Sequence, residues 1–269
     1  MHALAKVNLT LNITGKTSDG YHRMQSVFAF LKDVYDELIF YTDYAGRGFD
    51  GKAVAIPGIE NNSILEAQKI LRDNFDLKIP YVKIKKHIPI CAGLGGGSSD
   101  AACFVNTVFD FWGFSQSKKM SYIDLFRPLG ADAKVFLFKY FTNCRLVYIN
   151  GTGRDGVISS IDLPHIHKYI LIINDGTQLS TKKVFENFKK PFCSEITDIN
   201  YLLKNHHNSL QNSALELAPN LKQILNTLAN LSPDFYGISG SGATCFAVFN
   251  DKFSQFKTIP YPYVALSAY

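Results

Sequence analysis

The sequence predicts an α+β fold in two halves. Stretches with an apolar residue at every second position, the period of a strand with one buried face, recur along the chain. Helical stretches, with apolar residues three and four apart, are interspersed among them in both halves. The 269 residues, 46% hydrophobic and 19% charged, supply an ordinary globular core for one large domain or two modest ones. The boundary falls between Gly156 and Pro164, giving domains over 1–160 and 161–269.

Residues 6–13 alternate strictly. Val7, Leu9, Leu11 and Ile13 face a core, while Lys6, Asn8, Thr10 and Asn12 line the other face. That second face reads either as the solvent side of an edge strand or as one wall of a pocket. The pocket reading draws on the neighbouring segment, a turn over 15–20 and then Tyr21 and His22. Residues 25–31 and 36–41 read as two further strands, and 44–58 as turn-rich. Ser63 and Glu66 have the spacing of a capping box, which predicts a helix to about Asn74 with Ile64, Ala67 and Leu71 on one face. Residues 81–88 alternate like a strand.

Next comes the stretch Gly93-Leu94-Gly95-Gly96-Gly97-Ser98-Ser99-Asp100. Its glycines permit positive φ and close approach to a ligand, and the two serines and the aspartate are residue types that start helices. Ala101, Phe104, Val105, Val108 and Trp112 then fall at helical spacing. A glycine loop opening into a helix N-terminus attracts anions, so this is a candidate phosphate site. The plainer reading is a flexible turn before a core helix. The loop is neither a Walker A motif, which needs Gly-Lys-Ser/Thr, nor a dinucleotide fingerprint, since Ser98 stands where its last glycine belongs.

Residues 121–127 look helical, with Pro128 as the stop. Asp132, after Leu129-Gly130-Ala131, reads as the N-cap of a short apolar helix or as a functional acid. Residues 147–149 form a strand, with a turn at Gly151-Thr152-Gly153. In the second half, 168–174 read as a buried strand, and Ser180-Thr181 cap a helix through about Phe188. Residues 208–217 and 220–231 read as helices, and 189–205 have no clear pattern. Ser239-Gly240-Ser241-Gly242 form a second Gly/Ser loop before a strand over 245–249.

The net charge of +5 suits an anionic small substrate and is too weak and dispersed for nucleic acid. Five cysteines without Cys-x-x-Cys spacing indicate neither a zinc site nor a disulfide framework, and Cys103 and Cys245 sit in apolar runs as core residues. The expected setting is a reducing, cytoplasmic compartment, with no signal segment and no membrane span.

Three separated segments, Ala5-Lys6-Val7-Asn8-Leu9 with Gly20-Tyr21-His22, the run 88–102 through the glycine loop, and Ser239-Gly240-Ser241-Gly242-Ala243, resemble the three motifs of the GHMP kinase superfamily. The resemblance covers about residues 3–250. It implies an N-terminal domain like domain 2 of ribosomal protein S5 and a ferredoxin-like C-terminal domain. Asp19-Gly20-Tyr21-His22 and Leu129-Gly130-Ala131-Asp132 resemble a member that transfers the ATP γ-phosphoryl group to the 2-hydroxyl of a cytidine diphosphate-linked methylerythritol. By that resemblance Asp132 matches the base, and Lys6 the lysine that contacts the acid and the substrate. Gly93, Leu94, Gly95, Gly96, Gly97, Ser98 and Ser99 match the ATP phosphate loop, with Mg²⁺ bridging the phosphates and no protein ligand assigned to it, Ser98 and Ser99 being the candidates. Tyr21 and Phe185 match a cytosine clamp, His22 a hydrogen bond to the base, and Asn8 and Thr181 further substrate contacts. The implied assembly is a monomer or homodimer. The chain departs from the pattern at Cys91, where glycine is usual, at Ala133-Lys134, and at Gly151-Thr152-Gly153-Arg154, which lacks an expected acid.

Overall fold

The computed structural model describes residues 1–41, 62–77, 79–152, 155–162, 169–251 and 259–268. The expected turn at 44–58 lies outside them, as do Gly153, Arg154, Pro164 and Lys168. Two compact units divide the chain. One comprises Met1–Leu4, Tyr35–Ile88 and Gly95–Cys144, the other Ala5–Val34, Pro89–Leu94 and Arg145–Tyr269.

Strands β1 (His2–Lys16) and β2 (His22–Tyr41) are long enough to run through both units. The two strands expected over 25–31 and 36–41 are one. The alternation slips where Lys32 and Asp33 are both exposed, which breaks the sequence pattern but not the strand. In the first unit β3 (Tyr81–Lys85) pairs antiparallel with residues 37–41 of β2. Helix α1 (Ser63–Asn74) is capped by Asn62, whose Oδ1 accepts from Ile64 N at 2.9 Å, and not by Ser63. Asn62 is still extended while Ser63 is already helical, so the asparagine holds the capping position. Helix α2 (Gly96–Phe111) packs on both α1 and α4 (Ala131–Thr142), in a layer that buries Phe104, Phe109, Phe126 and Phe136. The helix expected over 121–127 is instead α3 (Gln116–Ser121) and a 3₁₀ turn over Ile123–Leu129 that contains Pro128.

In the second unit β4 (Leu146–Gly151) pairs with residues 24–29 of β2, and β5 (Val157–Ile161) with β4. A second antiparallel sheet has the order β7-β8-β6-β9, from β6 (Tyr169–Asn174), β7 (Phe235–Ile238), β8 (Cys245–Phe249) and β9 (Tyr263–Ala268). Helices α5 (Thr181–Glu186), α6 (Ile199–Lys204), α7 (Gln211–Leu217) and α8 (Leu221–Ala229) accompany it. Leu221, Ile224 and Leu228, at helical spacing on α8, join Leu171, Ile173 and Ala247 of the sheet in one buried cluster. The elements β5, α6 and β9 carry too little period for the sequence to reveal them. Cys103 and Cys245 are buried, as their apolar surroundings predict.

Candidate active site

The polar face of β1 is a wall, not a solvent edge. Lys6 and Asn8 are each only 4% exposed, and Thr10 and Asn12 are buried as well. Burying such groups is costly unless they are hydrogen-bonded. Lys6 Nζ donates to Asn8 Oδ1 at 2.6 Å, Asn8 Nδ2 donates to Ser26 Oγ at 2.8 Å, and Ser26 Oγ donates to the Thr10 carbonyl at 2.6 Å. Lys6 Nζ also stands 5.2 Å from the centre of the Phe28 ring. Ser26 was not legible as part of the site; its only signal is a small polar residue, next to Gln25, at the head of the apolar run Val27–Leu31.

The second Gly/Ser loop closes on the same strand. Ser239 Oγ accepts from Asn8 N at 3.2 Å and donates to the Gly93 carbonyl at 3.1 Å. Thr244 N donates to the Ala92 carbonyl and Lys6 N to the Leu94 carbonyl, each at 3.0 Å. Asn208 Nδ2 donates to the carbonyls of Ile238 and Gly240, fixing the loop from its other side. Thr181 Oγ1 lies 3.0 Å from Ser241 Oγ. Glycine is required by space as well as conformation: a Cβ on Gly240 would lie 2.9 Å from Asn8 Oδ1. Lys6, Asn8, Gly93, Thr181 and Ser239–Gly242 thus converge within the second unit.

The rest of the glycine loop, Gly95–Asp100, belongs to the first unit. The serines and Asp100 lie inside α2 and do not cap it. Its N-cap is Gly95 at φ 72°, which offers no side-chain hydrogen bond. The positive φ falls at Gly93 and Gly95, not at Gly96 or Gly97. The first N–H groups of this 16-residue helix, those of Gly96, Gly97 and Ser98, thus receive no side-chain cap from Gly95, an arrangement compatible with an anion at the helix start. Ser99 is fully buried and its Oγ lies 2.9 Å from the Tyr140 hydroxyl, whereas Ser98 is half-buried.

Behind this helix start is a charge cluster that sequence reasoning missed. Fully buried Asp36 accepts from His87 N at 2.6 Å and Ile88 N at 2.8 Å. Lys86 Nζ bridges Asp36 and Asp100, the latter at 2.7 Å. Burial pushes the Asp100 carboxyl up to about 7 against the pull of Lys86. Burial also pulls the Lys86 amine down, but the charges of Asp100 and Asp36 outweigh it and hold the amine above its ordinary value. The unfolded chain ionises Asp100 near 3.8, so its stabilising contribution is complete below that value and is lost as pH rises toward about 7. Lys86 stays charged throughout this window. The melting temperature is expected to fall from this group between about pH 4 and about pH 7. Asp100→Asn should flatten that part of the profile. A pH–melting profile with the same slope in variant and parent would contradict the assignment.

Asp132 is the second residue of α4 and half-buried; the N-cap is Gly130, at φ 100°. Asp132 is thus not the cap. On the second unit, His22 packs against Phe185 with ring centres 5.1 Å apart. Burial, with Lys16 second, holds the His22 imidazole below its ordinary 6.5, so it is neutral at neutral pH. Tyr21 is 42% exposed beside it in sequence. Cys91 adopts φ 54°, which accounts for glycine being usual there.

The GHMP kinases N terminal domain family matches residues 62–135, and the GHMP kinases C terminal family matches residues 194–257. The chain is 33% identical over 267 residues to the 4-diphosphocytidyl-2-C-methyl-D-erythritol kinase of Anaplasma phagocytophilum (strain HZ), covering 93% of this chain and 85% of that protein. It is 31% identical over 268 residues to the kinase of the same name from Parvibaculum lavamentivorans, covering 92% of this chain and 87% of that one. A crystal structure of 4-(cytidine 5'-diphospho)-2C-methyl-D-erythritol kinase matches with a TM-score of 0.73 at 26% identity, covering 92% of this chain and 89% of that chain. Among the described residues no helix is long and apolar enough to cross a membrane. The chain belongs to the GHMP kinases, and within them to the 4-diphosphocytidyl-2-C-methyl-D-erythritol kinase family.

Proposed function

We propose that the chain transfers the γ-phosphoryl group of ATP to the 2-hydroxyl of 4-diphosphocytidyl-2-C-methyl-D-erythritol, in the non-mevalonate route to isoprenoid precursors. The observation that carries this is 33% identity to a kinase of that name along 93% of the chain. The enzyme is a small-molecule kinase that uses ATP. We place the domain boundary near residue 160, between the N-terminal and the C-terminal family match, although the two compact units interleave along the chain and do not follow that boundary. We place it in the cytoplasm, where ATP is at hand.

The uncapped N–H groups of Gly96, Gly97 and Ser98 suit phosphate oxygens, and the conformations of Gly93 and Gly95 shape the approach. Among the described residues no three His, Cys, Asp or Glu side chains cluster as metal ligands. Mg²⁺ would be held chiefly by the phosphates, with the half-buried Ser98 hydroxyl in preference to buried Ser99 as a protein contact. Bound there, the ion offsets the charge of the phosphate oxygens. Lys6 brings positive charge to the transferred group, and Asp132 accepts the proton of the attacking 2-hydroxyl. Tyr21 and Phe185 clamp the cytosine, neutral His22 hydrogen-bonds its edge, and Asn8 and Thr181 hold the rest of the substrate. Ser239, Gly240, Ser241 and Gly242 keep Asn8 and Gly93 in register.

A coupled ADP-release assay tests the reading. ADP should form with the cytidyl substrate and not with mevalonate or homoserine; no release with the cytidyl substrate would defeat it. Tyr21→Ala and Phe185→Ala should each raise KM for that substrate, by the about 1–3 kcal/mol that base stacking supplies, while sparing KM for ATP. If CDP competes equally well against both variants and the parent, there is no clamp.

A further inference from the structure

We infer that Phe188 is a positioning residue for His22 in the pyrimidine site, braced by a strap over residues 192–198 that Gln25 anchors. The inference rests on the cytidyl reading of that site. Helix α5 ends at Glu186, and Phe188 N then donates to the Phe185 carbonyl at 3.2 Å, so the chain turns back on itself. Both aromatic rings thereby reach the same imidazole. Phe185 lies against it at 33° between planes, and Phe188 meets it edge-on at 89° with centres 6.0 Å apart. Two ring contacts, one tilted and one perpendicular, restrict the rotation of an imidazole more than one does.

Phe188 is held in its turn. Its ring stacks on Phe192, with centres 6.4 Å apart and planes at 27°. Phe192 opens a segment with neither helix nor strand through Thr197. That segment is tied down at two points. Cys193 N donates to the Ile13 carbonyl at 2.8 Å. The Gln25 amide then pairs with both backbone groups of Ile196: Nε2 donates to the carbonyl and Oε1 accepts from the N–H, each at 2.8 Å. Gln25 is 1% exposed and also donates to the Tyr148 hydroxyl at 2.7 Å. A buried glutamine with these partners satisfied is a rigid anchor, since breaking either backbone bond strands a buried polar group. The strap therefore holds Phe192, Phe192 supports Phe188, and Phe188 packs perpendicular to His22.

The rival is that Phe188 merely packs on the core of the second unit, which its half-burial allows. The two readings separate experimentally in the full-length chain. Phe188→Ala should raise KM for the cytidyl substrate about threefold to tenfold, the range one aromatic contact supplies, with kcat and KM for ATP unmoved. Phe188→Tyr should restore the parent KM. Phe192→Ala, at a position 50% exposed and so safe for folding, should shift KM in the same direction by less. The His22 titration followed by NMR, assigned with His22→Gln, should move up toward the ordinary imidazole value in Phe188→Ala as the ring gains water, with Lys16 the charged neighbour acting on it in both forms. An unchanged KM for the cytidyl substrate with an unchanged His22 titration would overturn the inference. So would a loss of melting temperature with KM for both substrates rising together. If the parent itself releases no ADP with the cytidyl substrate, the functional reading has failed, while the His22 titration still decides whether Phe188 holds the ring.

Discussion

Asp132→Asn is expected to lower kcat by about 10²–10⁴, the loss typical of a missing general base. Asparagine preserves the shape of the side chain but cannot take the hydroxyl proton. The fold should tolerate it. Gly130 and not Asp132 occupies the N-cap of α4, so no capping bond is removed. The stability at stake includes the interaction of a first-turn carboxylate with the helix dipole, about 0.3–1 kcal/mol. The checks are kcat at saturating concentrations of both substrates, the melting temperature, and the thermal shift with ATP. Near-parent kcat in a folded variant removes the base from the mechanism. A fall in stability with kcat intact would return Asp132 to a structural role.

Gly93→Ala should produce the other large effect. Gly93 has φ +77°, and an alanine Cβ would lie 2.6 Å from the Ser239 carbonyl oxygen and 2.7 Å from that of Gly242. The left-handed backbone alone costs an alanine about 1–3 kcal/mol. The clash adds to this because both obstacles are backbone atoms. Relief requires the loop at 239–242 to withdraw, which breaks the bond from Ser239 Oγ to the Gly93 carbonyl. The urea midpoint should therefore fall, and KM for ATP should rise at least about tenfold, one 1.4 kcal/mol step. Gly113→Ala is the control. Gly113 has φ +68° with nothing within 4 Å of its Cβ position, so it carries the conformational strain without the collision. Equal losses in the two variants would show that strain, and not the packing of the two loops, is what Gly93 avoids.

The strands and helices legible in the sequence are those with a strong period. β1 and α8 emerge from apolar spacing, α1 from a capping box together with its apolar face, and β8 from a short unbroken apolar run after a Gly/Ser loop. The limits of β2 did not, because the slip at Lys32 and Asp33 reads as an end when only alternation is visible. β5 and β9 are short and half-exposed, so their patterns carry little signal. The polar face of β1 could be named residue by residue, but whether it faced water depended on what covered it. The covering loop lies more than two hundred residues away, which no local period reports. The Asp36–Lys86–Asp100 cluster was hidden for the same reason: charged residues in sequence imply surface until their partners are known. The Gly-rich character of 93–97 was plain. Which of those glycines needs positive φ was not, since φ depends on where the helix starts.

The Ser239 hydroxyl carries a consequence for how the enzyme folds. One oxygen joins Asn8, 231 positions away along the chain, to Gly93, 146 positions away. Closing loops that long costs only slightly more entropy than closing shorter ones, about 0.6 kcal/mol for each doubling, so equilibrium stability hardly registers the distance. Folding speed does, because contacts of high sequence separation must be found before they contribute. During synthesis Ser239 leaves the ribosome after nearly every other residue of the site. The strand carrying Lys6 and Asn8 waits for almost the whole chain before its polar face is covered. The candidate site is therefore assembled only once this loop has closed, and a product of synthesis that stops before residue 239 lacks the bonds from Ser239 to Asn8 and Gly93.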